Sequence, residues 1–538
     1  MTFRALIPAI ILISLFASLA CGQGVPITCL VGTGVPPEVR WEGYTGLAGD
    51  IYMNCTGGTA LVAASGSAAA TASSPNAIPQ MTVVANLGTT VTSRILGSGG
   101  LSEALLLVDE PGAVGLNTYG STLPISVCPT PLATAWQSAA SPGCQEWVGN
   151  IGSNTNVPVL STGGQTNTTP GYNAFPGIVN GSQVTFNGVP MLPPGGGGNS
   201  RVFRITNIRV NANAVTLGTV AFQLGSVTAQ LSVGGVQLNL SDPSVTAAYV
   251  TPTLTGSLGN PSDGAALTTP VFTSSSGVGS PGTPSVLGYL RFTEGVAYSF
   301  RTRVAPLVTG AGGSGQSATA EQDIPGAIYN SESGFTPYVG TTPQYFGGNT
   351  TYIPGLADSG TRVKAVFHNI PRGVTIYVGT TSGGNSTIGL VGTLSARMVA
   401  SPIAPESASP VTPTVTIGGA GFVPLVPSNG SGTATWEVVT DLLYSVPVPE
   451  NFDIPVAVYA APGVASAGTV TVNLSYAPTQ SDAQGPQFIP TFFDTSTPMP
   501  LFTISGAPAT PVPSSLILIL CGLGALLLFA AGRKLAAR

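Results

Sequence analysis

The sequence predicts a mainly β protein: two or three antiparallel β-sandwich-like domains with long Gly/Ser/Pro loops, set between an N-terminal signal peptide and a C-terminal transmembrane helix. Three observations predict it. Apolar and polar residues alternate at period two in many short runs, and no stretch between the termini carries helical periodicity. Gly (71) and Pro (47) punctuate those runs as turn residues. Only 7% of residues are charged while 43% are hydrophobic, so the chain can bury a core where a disordered one could not.

At the start, Arg4 precedes an apolar run from Ala5 to Leu19, and small residues stand at Ser18 and Ala20. A charged start, a short apolar core and a small-residue exit form a secretory signal, cut after Ala20. Cys21 raises a lipid-modified alternative, but Leu19 has the wrong offset and Ser18 occupies the position that motif gives to Leu. Cys521 lies in the tail, which leaves Cys29, Cys55, Cys128 and Cys144 in the exported part. Four cysteines in an exported segment read as two disulfides. Three pairings are open, of which Cys29–Cys55 with Cys128–Cys144 closes the shortest loops. No Cys-x-x-Cys and no nearby His supports a zinc site.

The run LSEALLLVDEPG at 101–112 predicts a buried strand, Leu105–Val108, entering a polar turn at Asp109–Gly112. It imitates the magnesium-holding strand of nucleotide-dependent transporters, but the phosphate-cradling Gly-x-x-x-x-Gly-Lys-Ser/Thr partner is missing. Gly195–Gly198 reads as a loop or linker. Beyond it, the apolar phase shifts between Phe203/Ile205 and Ile208/Val210, which predicts a bulge at Thr206-Asn207. The strongest alternation spans 227–240: Val227, Ala229, Leu231 and Val233, then Gly234-Gly235, then Val236, Leu238 and Leu240. Gly adopts positive φ cheaply, so this pattern predicts a hairpin.

Thr251–Gly282 and Ala305–Ala320 read as long loops. A second hairpin is predicted from Val363, Ala365 and Phe367, a turn at Asn369–Gly373, and Val374, Ile376 and Val378. The runs around Trp436, Ile454 and Val472 look like the end of an antiparallel sandwich. The elements divide into an N-terminal β domain with the expected disulfides (21–245), a central β region (246–400), a C-terminal sandwich-like domain (401–505) and a tail (506–538).

In the tail, Leu516 to Gly532 is uncharged and at the lower limit for a membrane span. Arg533, Lys534 and Arg538 place that end in the cytoplasm and argue against a glycolipid anchor. Pro511-Val512-Pro513-Ser514, the apolar stretch and the Arg533-Lys534 pair together resemble the PEP-CTERM sorting signal of bacterial exoproteins. That resemblance implies an exosortase-type processing enzyme as a partner. The departure is Val512, where the family carries Glu; it bears on processing and not on anchoring. Segments 43–58, 291–303, 328–335 and 433–439 also resemble an uncharacterised group of exported bacterial proteins, which implies a recurring exported architecture and no particular activity.

Little in the chain points to chemistry. The exported part is mildly acidic, has no basic patch and carries a single Lys, at 364, so the run of cations that neutralising phosphates needs is not there and nucleic acid is excluded as a partner. The single His, His368, precedes a predicted turn, and no Gly-x-Ser-x-Gly supplies it with a nucleophile. No Asp-x-Asp-x-Asp-Gly loop offers a calcium site. No catalytic, cofactor-binding or metal-ligating residue is therefore assigned. Glu42, Asp50, Asp109, Glu294 and Glu332 are the acids from which a glycosidase pair would be drawn. Trp41, Tyr44, Trp136 and Trp147 offer flat faces to sugars or, more simply, core packing; Trp436 reads as core. The expectation is a non-enzymatic cell-envelope or extracellular-matrix protein, anchored by one C-terminal helix or released after sorting, acting in adhesion, surface or exopolysaccharide association. The alternative is a secreted carbohydrate-binding or glycoside-cleaving protein.

Overall fold

A computed structural model describes residues 26–59, 80–95, 101–109, 128, 147–148, 159–160, 174–191, 193–218, 224–261, 265–274, 276–297, 299–300, 360–382, 395–404, 409–440, 449–463, 467–482, 490–505 and 523. These residues are mainly β, in several sheets, with a 3-10 turn at Ala212–Ala214. Among them no helix is long and apolar enough to cross a membrane. The signal segment and the tail from 506, Leu523 excepted, lie outside the described residues.

The first unit contains β1 (Ile27–Thr33), β2 (Glu38–Arg40), β3 (Gly46–Leu47), β4 (Ile51–Gly57), β5 (Gln80–Leu87), β6 (Leu101–Val108), β7 (Trp147–Val148), β8 (Val159–Leu160), β9 (Ala174–Asn180), β10 (Gln183–Pro190), β11 (Gly195–Thr206), β12 (Arg209–Val210), β13 (Gly225–Gly234), β14 (Leu238–Ser241) and β15 (Ser244–Thr251). Eleven of these form one sheet in the order β14-β1-β4-β11-β6-β9-β10-β5-β13-β15-β2, while β12-β3 and β7-β8 are separate pairs. Only Asp242-Pro243 separates β14, at one edge, from β15, next to the other edge, so the sheet curls back on itself. Its inner face buries Met53, Val83, Phe186, Phe203, Ile205 and Val227 in one core.

Period-two alternation places the inward residues correctly. Along β13, Val227, Ala229 and Leu231 are buried while Thr228, Gln230 and Ser232 are exposed. The predicted hairpin around Gly234-Gly235 does not form. β13 pairs with β15 and β5, and β14 crosses to pair in parallel with β1. Gly235 makes the departure, at φ 86°, where a Cβ would stand 2.7 Å from the Gln80 carbonyl oxygen. At Thr206-Asn207 the strand breaks instead of bulging: Asn207 adopts φ 60°, and β12 joins a different sheet with β3. The glycines at 195–198 are not a linker but the start of β11, where the register against β4 shifts between Gly195 and Ser200.

Cys29 and Cys55 are direct cross-strand partners on β1 and β4 and form a disulfide. Cys128 is buried and disulfide-bonded; Cys144 lies outside the described residues. Because the Cys29–Cys55 bond restricts the unfolded chain, replacing both with Ser is expected to cost about 3 kcal/mol. Chemical denaturation of the double variant checks this.

The second unit contains β16 (Leu254–Gly259), β17 (Val271–Thr273), β18 (Ser285–Glu294), β19 (Arg362–His368), β20 (Val374–Gly379), β21 (Ser395–Val399), β22 (Val415–Ile417), β23 (Ala420–Pro424), β24 (Gly432–Thr440), β25 (Asn451–Ala460), β26 (Gly468–Ala477) and β27 (Met499–Ser505). Two six-stranded sheets result, β16-β18-β25-β20-β23-β22 and β17-β27-β26-β19-β24-β21. They close on a shared core that includes Phe292, Ile376, Ile454, Phe367, Trp436 and Val472, as expected of a sandwich. Strands from 246–400 and from 401–505 interleave in both sheets.

Here too a predicted hairpin is replaced. β19 and β20 lie in opposite sheets, so Asn369–Gly373 is an arch over the edge of the core and not a tight turn within one sheet. Asn369 (φ 59°) and Gly373 (φ 85°) provide the left-handed corners, and Ile370 is buried between them. The stretch 251–282 is not all loop, since it supplies β16 and β17.

Candidate functional site at the junction of the two units

Past β2 the chain leaves the first sheet and runs between the units. The Tyr44 amide donates to the Thr491 carbonyl (2.8 Å), the Phe493 amide to the Glu42 carbonyl (2.8 Å), and the Thr491 amide to Thr45 Oγ1 (2.9 Å). Gly43 and Phe492 form an antiparallel bridge. Residues 42–45 thus lie strand-like against 491–493, which belong to the second unit.

Two side chains fasten this strap. Glu42, 3% exposed, accepts from the Thr253 amide (3.0 Å), the Thr253 hydroxyl (3.0 Å) and the Leu254 amide (3.1 Å). Those donors sit where the chain passes from β15 to β16, so one carboxylate caps the crossing point between units. Arg40 donates through Nε to the Ser299 carbonyl (3.0 Å) and through Nη2 to Thr361 Oγ1 (3.1 Å). Its guanidinium carbon lies 5.2 Å from the Tyr476 ring centre and 5.6 Å from that of Phe492. Tyr476 and Phe492 stack at 4.7 Å, and Phe300 meets Tyr476 edge-on. The cation therefore caps an aromatic column of the second core, an arrangement that strengthens as it is desolvated. The Tyr476 hydroxyl donates to the Thr253 carbonyl (3.1 Å).

Burial pushes the Glu42 carboxyl above its ordinary value, against the opposing pull of its hydrogen bonds. Burial likewise pushes the Tyr476 phenol up. A carboxyl raised in the folded state binds extra protons there, so Glu42's contribution is fully present below the ordinary value of 4.5 and declines as pH rises through the raised value. Glu42→Gln removes the titration. The wild type is expected to lose melting temperature relative to Glu42→Gln between pH 4.5 and neutrality, and parallel melting profiles would refute this.

The other acids weighed from the sequence are committed too. Asp50 accepts from Arg204 Nε (2.7 Å), Asp109 pairs with Arg201, and Glu294 accepts from the Phe300 and Glu450 amides. Asp109, where the polar turn was expected to begin, is thus a buried ion-pair partner. Glu332 lies outside the described residues. Tyr44 packs edge-on against Phe493 and Trp41 lies partly buried against the first core, while Trp136 falls outside. Trp436 is fully buried, its indole donating to the Gly379 carbonyl (2.8 Å). His368 closes β19 opposite Thr471, half-buried. Among the described residues no group of His, Cys, Asp and Glu could hold a metal ion. Pro511, Val512, Pro513, Ser514, Arg533 and Lys534 lie outside them.

Sequence reasoning passed over the buried arginines Arg204 and Arg209, both 0% exposed. The available signal was three arginines, 201, 204 and 209, within one short stretch of a charge-poor chain. Chemically the junction holds parts together: its donors face acceptors and its carboxylates face backbone amides.

No family model matches the chain, and no curated protein does. Among solved structures, it is similar to one titled BspA_C_mut, at 10% identity over 87% of this chain and 99% of that one, with a TM-score of 0.24. It is also similar to the C-terminal domain of the Streptococcus pyogenes antigen I/II-family protein AspA, at 8% identity over 90% and 100%, TM-score 0.24. A third is the CupB6 tip adhesin from Pseudomonas aeruginosa, at 7% identity over 90% and 98%, TM-score 0.13. Likeness at these scores carries no argument about activity.

Proposed function

We propose that this chain is a non-enzymatic exported protein of the cell envelope or extracellular matrix, acting by adhesion to surfaces or polymers. The observation that carries the reading is how the buried acids are used. Glu42, Asp50, Asp109 and Glu294 are each spent on a backbone amide or an arginine. A glycosidase needs two carboxyls facing one cleft, one of them free to give up a proton. The Cys29–Cys55 disulfide supports export, because such bonds persist in oxidising compartments. In this reading Leu516–Gly532 spans the membrane, Arg533 and Lys534 stay inside, and an exosortase-type enzyme reads the segment around Pro511–Ser514.

Fractionation of the native host, with mass spectrometry of the mature termini, tests it. The expected result is an envelope or medium fraction lacking residues 1–20, with Cys29 and Cys55 joined. A mature end near Pro513 supports sorting, whereas an end at Arg538 leaves a permanent anchor. Recovery in the cytosol with both thiols free would overturn the reading.

A further inference from the structure

We infer that the outer face of β13 and β15, together with the Asn86, Gln183 and Asn180 ends of β5, β10 and β9, is a binding surface for a neutral polysaccharide. This rests on the envelope reading and specifies the place and chemistry of its polymer contact. The five strands are consecutive neighbours in the first sheet, and none contains an Asp, Glu, Lys or Arg. Ordinary protein surfaces are about a quarter to a third charged. Arg201, Arg204 and Arg209 are instead sequestered in buried pairs with Asp109, Asp50 and Glu103, and the exposed acids Glu38 and Asp242 stand at the margin of the five strands.

The face carries an ordered row in place of charge. Ser244, Gln230, Asn86, Gln183 and Asn180 are successive cross-strand partners on β15, β13, β5, β10 and β9, and all five are exposed. At about 4.8 Å per strand, the row extends roughly 19 Å. Its amides and hydroxyls both donate and accept hydrogen bonds without charge. Tyr249, 38% exposed, lies on the same face opposite exposed Ser226 and adds a flat ring.

These features select the occupant. β5, β10 and β13 have strand neighbours on both sides, so their backbones cannot accept an added peptide strand. A polyanion would find no counter-charge along these strands and would meet the acids Glu38 and Asp242 at their margin, and an apolar polymer would strand the amides. A polyhydroxylated neutral chain matches a row of neutral donors and acceptors. Each contact competes with water and is weak, so affinity must accumulate along the row and grow with polymer length.

The test is affinity electrophoresis of the full-length protein in non-ionic detergent. The gels contain hydroxyethylcellulose, galactomannan or dextran as neutral probes, or carboxymethylcellulose, which adds carboxylates to the same backbone as the first. Retardation by at least one neutral polymer, weaker with carboxymethylcellulose, is expected. The triple variant Asn86→Ala/Gln183→Ala/Gln230→Ala should bind about a hundred-fold more weakly, one net hydrogen bond per residue. Its melting temperature should be unchanged, since the three side chains are exposed. Should the triple variant fail to fold, the single Gln183→Ala and Tyr249→Ala variants must each still weaken binding. No retardation in any neutral gel, undiminished retardation of the variants, or a preference for carboxymethylcellulose would overturn the proposal. So would concentration-dependent dimerisation lost in the triple variant, which would assign the face to a second copy. Cell fractionation reads the envelope assignment separately, so either idea can fail alone.

Discussion

Glu42→Ala is expected to destabilise the protein by about 3–5 kcal/mol, because it leaves two buried amides and a buried hydroxyl without their acceptor. Each stranded donor costs about 1–3 kcal/mol, and water entering the truncated site recovers part of the sum. The donors belong to Thr253 and Leu254, so the loss falls on the crossing between units. Cleavage at 251–254 in limited proteolysis should therefore appear in Glu42→Ala well before global unfolding. Glu42→Gln keeps an acceptor oxygen in place and should resist cleavage nearly as well as wild type. Chemical denaturation supplies the magnitude, and a loss under 1 kcal/mol in Glu42→Ala would show that the strap contributes little to holding the units together.

A loss of similar size, about 3–5 kcal/mol, is expected from Glu103→Ala. Glu103, 1% exposed, accepts from Arg94 Nε (2.8 Å) and from the fully buried Arg209 Nε (2.9 Å). Burial alone would raise its pKa, but the two guanidiniums outweigh that and hold it below the ordinary glutamate value. Removing the carboxylate leaves the Arg209 charge in a low-dielectric interior, held by neutral acceptors such as the Thr45 carbonyl (3.1 Å). The penalty belongs to the uncompensated cation more than to the lost bond. Glu103→Leu combined with Arg209→Met should therefore be markedly more stable than Glu103→Ala, because an apolar pair of similar volume avoids both desolvation costs. Equal stabilities for the two variants would contradict this. Urea denaturation measures both.

The inward-facing residues of many strands were legible in the sequence, and the strands' partners were not. Val227, Ala229 and Leu231 were readable as core, and so were Val363, Ala365, Phe367, Val374, Ile376 and Val378, because alternation reports which side chains meet apolar surroundings. The same alternation is satisfied whether the next strand returns in the same sheet or crosses to face it. Gly235 and the Asn369–Gly373 arch both take the second option. Nothing local distinguishes the two outcomes; the choice depends on partners such as β1 and β25, which lie far away in sequence. The junction was hidden for the same reason. Glu42 reads as one more surface acid until Thr253 and Leu254 are placed over it.

The strap has a consequence for the order of events in making the protein. Thr45 bonds to Thr491, 446 residues further along the chain. The strap is made well before its mate, so the joint between the two units cannot close until both are present. Until then Arg40 and Glu42 stand at a raw surface, as does the aromatic column that Arg40 will cap. Native topology of this kind folds slowly and leaves sticky intermediates exposed until the distant partner is in place. The interval before closure is when such a chain is most in need of a chaperone.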